Sequence, residues 1–182
     1  TLNEPAGTLG LDIAGVSTNP QVISSSFNFS GTQQSITMNF ANVTDPPDVN
    51  DLSLTKDGVD FTTNVAMNFV VGQNNTSTAT FTFPSLPNGM LPDGNYIATL
   101  GSYNYSIAFW SFQGDANHDR SINALDLNAL ASNFGGSNTG FGNGDFNYDG
   151  IVNTTDFALL AGRFNQFFTG RNAPGRLLAP GA

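Results

Sequence analysis

A chain of 182 residues with fourteen acidic residues, five Lys or Arg and a net charge of -9 forms no basic stripe, which excludes a nucleic-acid partner. Cysteine is absent, so disulfides and thiolate metal sites are excluded too, and no apolar run reaches the roughly 18 residues that a membrane-spanning helix needs. An apolar content of 39% with sixteen Phe suffices for globular structure, while abundant Thr, Ser, Asn and Gly favour strands and loops over long surface helices. No charged-plus-apolar leader begins the chain, so Thr1 reads as a mature or trimmed terminus. The missing Cys and scarce Lys fit an exported bacterial protein, extracellular or at the cell surface.

Residues 1–112 read as an Ig-like antiparallel β-sandwich with an N-terminal arm, because short alternating runs are broken by turn residues about every ten positions. In chain order the predicted strands are LGLDI (9–13), QVISSSFNFS (21–30), SITMNFA (35–41), DLSLT (51–55), TNVAMNFVV (63–71), STATFTF (77–83), NYIATLGS (95–102) and YSIAFWSF (105–112). Asp57-Gly58 supplies a tight turn, Pro92 presets another, and Ala79, Phe81 and Phe83 share one strand face.

Beyond Phe112 the period changes. Segment 114–135 aligns with 144–165, and the matched apolar pairs are Ile122/Val152, Leu127/Phe157, Leu130/Leu160, Ala131/Ala161 and Phe134/Phe164. Apolar spacings of three and four predict a helix after each loop, with GGSNTGFGN as a flexible connector. The fold class is therefore mainly β plus small α: a sandwich over 1–112, a pair of loop-helix repeats over 113–166 and a tail over 167–182.

In GDANHDRSINALD, side-chain oxygens fall at Asp115, Asn117, Asp119, Asn123 and Asp126, which are loop positions 1, 3, 5, 9 and 12; the position-7 carbonyl belongs to Ser121. The second copy offers Asp145, Asn147, Asp149, Asn153 and Asp156, with the carbonyl of Ile151. A tightly turning loop with this spacing can aim alternate oxygens at one hard cation. Calcium suits the set, since magnesium demands a tighter octahedron and zinc prefers nitrogen and sulfur. Asp and Asn also make plain turns, but two loops with matched ligand positions and matched helices argue for two calcium sites.

These paired segments resemble a type I dockerin, the duplicated F-hand calcium module first associated with cellulosomes. The Asp126 and Asp156 that end the loops fit that family. The resemblance implies two calcium sites, calcium-dependent folding and use in protein docking. With a preceding Ig-like sandwich, the chain is also similar to carboxy-terminal regions of large secreted proteins of planctomycete-type bacteria. Two features depart from the family pattern. Arg120 stands at loop position 6, where a tight turn favours Gly, which predicts a weaker first site. Positions 10 and 11, polar in cellulosomal dockerins, are Ala124-Leu125 and Thr154-Thr155, which speaks against a cellulosomal cohesin as partner.

No enzyme is expected. His118, at loop position 4, reads as a solvated loop histidine, and no nucleophile and base pair stands near it. Asp45, Asp48, Asp57 and Asp93 sit in turn-like contexts, and Glu4 lies in the N-terminal arm. Trp110 and Tyr103 could line a sugar-binding face, but Trp110 within YSIAFWSF reads as core. Two functions remain. The favoured expectation is calcium-stabilised self-assembly into an extracellular fibre, tube or coat, with LGLDIAGV adding as a strand to a neighbour and RLLAP lying across an interface. The alternative is a docking module that anchors a larger secreted or polysaccharide-degrading protein to a cohesin-like or cell-surface partner.

Overall fold

The structure is a computed structural model, and it describes residues 19–169 apart from 44, 62 and 138. The LGLDI strand at 9–13 and the RLLAP segment lie outside the described residues. Eight strands follow in order: β1 (Gln21–Asn28), β2 (Ser35–Ala41), β3 (Leu52–Lys56), β4 (Val59–Asp60), β5 (Ala66–Val71), β6 (Thr76–Thr82), β7 (Gly94–Leu100) and β8 (Tyr105–Ser111). Two helices come after them, α1 (Ala124–Ser132) and α2 (Thr154–Ala161).

The strands form two four-stranded antiparallel sheets, ordered β1-β2-β6-β5 and β4-β3-β7-β8. Alternation decides which side chains lie between them. Ile36, Met38 and Phe40 of β2, Ala79 and Phe81 of β6, and Tyr96, Ala98 and Leu100 of β7 are fully buried, while their neighbours along each strand are part-exposed. Each large apolar side chain moved out of water contributes about 1.5–3 kcal/mol, so this layer accounts for most of the sandwich's stability.

Differences from the predicted strands are local. β7 stops at Leu100 because Gly101–Tyr103 turns as a 3-10 helix and Asn104 takes a left-handed φ of 47°. β5 begins at Ala66, where its pairing with Thr82 begins. β4 was not predicted: two residues are too short to show a period, and the strand exists because Asp57 and Gly58, both at positive φ, fold Val59 back onto Lys56. A register shift between Val22 and Ser24 in β1 explains why Ile23 is turned outward.

A second core begins at the end of β8. Trp110 and Phe112 join Ile122, Leu130, Phe141, Phe146, Tyr148, Val152 and Leu160, with Phe29 and Met90 of the sandwich packed against them. Polar links reinforce the junction. Asp93 accepts the Gln113 N–H at 2.7 Å and pairs with Arg163 at 3.1 Å, the Tyr148 hydroxyl donates to the Phe29 carbonyl at 2.6 Å, and Asn88 donates to the Asn147 carbonyl at 2.8 Å. Asp93, read from sequence as a turn residue, thus joins the sandwich to the end of α2.

Each repeat completes the other's loop. Ser121 bridges to Phe167 and Ile151 bridges to Ser137, a pairing preserved when the two copies are exchanged. The same exchange relates the Ile122 N–H to Gln166 carbonyl bond and the Val152 N–H to Gly136 carbonyl bond, both 3.0 Å. Phe167 and Phe168, counted with the tail in the sequence reading, therefore take part in the paired repeats, and Phe168 also packs on Phe112.

The matched apolar positions divide. Leu130, Leu160, Ile122 and Val152 are buried, whereas Phe134, Phe157 and Phe164 are exposed. The helices have nine and eight residues, and each buries one line of side chains against the other repeat. The approach is so close that a Cβ on Gly144 would lie 2.5 Å from the Leu130 Cα. Leu127, Ala129 and Leu159 are only partly covered beside that line.

Candidate metal centres

Loop 1, residues 115–126, is closed by its own carboxylates. Asp115 accepts the N–H groups of Asp119 (2.9 Å) and Arg120 (2.8 Å), and Asp119 accepts that of Ser121 (2.8 Å). Asn123 is the N-cap of α1 and accepts the Leu125 N–H at 2.8 Å. Asp126, three residues into the helix, reaches back to the N–H of Asn123 (2.9 Å) and across the loop to that of Ala116 (2.8 Å), which makes a capping box. Asp126 therefore fastens the loop's end to its beginning.

Loop 2, residues 145–156, repeats this bond for bond. Asp145 accepts from Asp149 (3.1 Å) and Gly150 (3.0 Å), Asp149 from Ile151 (2.9 Å), and Asn153 from Thr155 (2.7 Å). Asp156 accepts from Asn153 and Phe146, both at 2.9 Å. Positions 3 and 5 meet in both loops, the Asn117 amide donating to Asp119 at 2.9 Å and that of Asn147 to Asp149 at 2.8 Å. Positions 7 and 9 are also neighbours, Asn123 lying 3.5 Å from the Ser121 carbonyl and Asn153 3.4 Å from that of Ile151.

The chemistry of these donors fits a hard cation. Asp115, Asp126, Asp145 and Asp156 are each 0% exposed. Burying that many carboxylates is costly without compensating positive charge. Burial pushes the Asp115 carboxyl up to about 6, with the neighbouring Asp126 adding to the effect and the N–H groups of Arg120 and Asp119 opposing it. Asp145 is raised for the same first reason, burial. Among the described residues no three Asp, Glu, His or Cys side chains stand as a ready cation cluster. Half of each predicted ligand set is amide or carbonyl oxygen, and the carboxylates are tied to backbone N–H groups, so a cation would be held by mixed oxygen donors rather than by a cluster of carboxylates alone. Calcium would draw on two buried carboxylates in each loop together with the exposed carboxylates of Asp119 and Asp149.

Position 4 overturns the sequence reading. His118 is not a solvated loop residue: its ring stacks on Trp110 (3.9 Å between centroids, 5° between planes) and on Phe29 (4.0 Å, 15°). Its Nε2 lies 3.1 Å from the Trp110 carbonyl, so Nε2 carries the proton and donates. Burial pushes the His118 pKa down to about 4 despite that bond, and the charge of Arg120 lowers it further. The imidazole is neutral at pH 7. In the second copy Tyr148 fills the same position and also turns inward. The signal was present in the sequence, since both copies carry a ring at position 4. Trp110 is buried, as expected.

At position 6, Arg120 adopts the left-handed φ of 71° that its place demanded, and Gly150 has 85°. Leu125 (61%) of α1 and Phe157 (47%) of α2 are exposed, as are Phe134 (53%) and Phe164 (40%) in the turns that follow the two helices. Among the described residues no helix is long and apolar enough to cross a membrane.

No curated protein and no solved structure matches the chain. Dockerin type I domains bind calcium, dock on protein partners and occur in extracellular proteins. Residues 113–165 match the family model of the dockerin type I domain, so the segment that carries both aspartate loops is a dockerin-type unit behind an antiparallel β-sandwich.

Proposed function

We propose that this chain is the non-catalytic, calcium-dependent docking end of an extracellular protein. Two calcium ions are held, one by Asp115, Asn117, Asp119, the Ser121 carbonyl, Asn123 and Asp126, the other by Asp145, Asn147, Asp149, the Ile151 carbonyl, Asn153 and Asp156. Metal binding becomes folding energy for the small helical pair, and millimolar extracellular calcium keeps the loops filled. The observation that carries the docking reading is the exposure of four large apolar side chains, Leu125, Phe134, Phe157 and Phe164, within the dockerin-matched segment. With Leu125 at position 11, that surface is more apolar than a cellulosomal dockerin's, so its partner is a cohesin-like protein with a greasier face. A non-catalytic role is supported by the chain's single His being locked between two rings.

The test is capture of recombinant cohesin-type domains on the immobilised chain, in millimolar calcium and in metal-free buffer. Saturable binding that needs calcium and is lost in the Phe134→Ser/Phe164→Ser double variant supports docking; binding indifferent to both sinks it. Self-assembly into a fibre, tube or coat is the second reading, favoured by exposed Val70 and Val71 on the edge strand β5. Sedimentation velocity separates the two, since reversible growth of large species with calcium supports assembly and a monomer in both conditions excludes it.

A further inference from the structure

The two loops are supported differently. In loop 1 the ligand residue Asp119 lies between two non-glycine residues in the left-handed region, His118 (φ 57°) and Arg120 (φ 71°). In loop 2 the corresponding pair is Tyr148 (55°) and Gly150 (85°), and only the first resists that conformation. A Cβ on Gly150 would meet nothing within 4 Å. Loop 1 thus carries an additional strained residue, at about 1–2 kcal/mol.

What offsets the strain comes from β8, outside the dockerin-matched segment. The Arg120 Cζ lies 3.9 Å from the Trp110 ring centroid, and the His118 ring lies at the same distance. Two groups that close to one indole centre cannot share a face, so Trp110 is clamped between positions 4 and 6 of the loop. Phe29 extends the stack beyond His118, and Phe168 sits 5.8 Å from the Arg120 Cζ on its way out of the second repeat. Arg120 also donates to the Asn95 side chain of β7 at 3.1 Å. The indole Nε1 is buried and makes no hydrogen bond of normal geometry, so Trp110 is held by its ring contacts.

We propose that Trp110 is the positioning residue of the first calcium loop: stacked between His118 and Arg120, it holds the turn that presents Asp119 and lets Arg120 do without glycine. The first site is then built jointly by the sandwich and the repeat, while the second is closer to self-sufficient. This rests on the reading of the loops as calcium sites and is independent of the docking partner.

The experiment is a ¹⁵N-resolved calcium titration of the full chain that follows the amides of Arg120 and Gly150, each of which donates to the first Asp of its own loop. Trp110→Leu is expected to weaken the first site about tenfold and leave the second within about twofold. Phe40→Leu, a change to the remote sandwich core, is the control and moves neither. Arg120→Leu keeps the strained backbone without the stacked cation and is expected to match Trp110→Leu, whereas Arg120→Gly removes strain and stack together and stays near wild type. If Trp110→Leu does not fold, the two Arg120 variants decide. Equal effects of Arg120→Leu and Arg120→Gly, or a Trp110→Leu that shifts both sites alike or neither, overturn the proposal with the calcium reading intact. A wild-type chain with no calcium response overturns both.

Discussion

The sandwich interior is lined by apolar side chains, whereas the repeat pair buries four carboxylates beside an apolar core of its own. Phe40, Phe81 and Tyr96 fill one interior, while Asp115, Asp126, Asp145 and Asp156 are as completely covered in the other. Hydrophobic burial needs no partner ion; burying four carboxylates gains from one. One region should therefore hold its fold unaided, and the other should depend on calcium for much of its stability.

The largest effect should follow from removing the metal. Without calcium, α1 and α2 are expected to lose their amide protection while the strands keep theirs, and Trp110 fluorescence should change as the stack on His118 opens. Hydrogen exchange read by mass spectrometry checks this; strands and helices opening together would break the comparison. Next in size, Phe81→Ala should cost the sandwich about 3–5 kcal/mol in denaturant unfolding. Its effect on calcium affinity should be slight, because the Phe81 core is distinct from the one that touches the loops.

A glycine pair sharpens the same contrast within the repeats. Gly144 has a φ of 102°, and a Cβ there would meet the backbone of Leu130, whereas Gly150, at 85°, has open space. Gly144→Ala is thus expected to disrupt the packing of the two repeats, visible as a loss of helix signal even in calcium. Gly150→Ala should cost only about 1 kcal/mol of conformational strain. Similar melting points for the two variants would show that the close approach is not essential.

Much of this was legible in the sequence for identifiable reasons. A period of two marks strands whose faces differ in burial, so β2, with its alternating Ile36, Met38 and Phe40, was found with both ends correct. The aspartate loops were legible because ligand spacing is local. What escaped depends on contacts between distant residues. His118 looked solvated because Phe29 lies far away in sequence, and the exposure of Phe134, Phe157 and Phe164 did not show because periodicity gives a face but not what covers it. β4 is two residues held by one turn, below the length at which a pattern exists.

The smallest expected effect is a pH dependence that differs with and without calcium. Asp115, raised to about 6 by burial, stabilises the metal-free fold most when protonated; that contribution is complete below the ordinary carboxylate range and is lost as pH rises through 6. His118 has the opposite sign. Its pKa, lowered to about 4 by burial, gives stability that is complete above the ordinary histidine value and is lost as pH falls through 4. Between pH 4 and 6 the two oppose each other, so the melting point of metal-free protein should change little across that window. Calcium keeps Asp115 ionised and removes its contribution, which leaves the rise with pH due to His118. Melting curves of metal-free and calcium-loaded protein at matched pH should therefore diverge between about pH 4 and 6. Parallel curves would mean that the buried carboxylate of loop 1 is not where calcium acts.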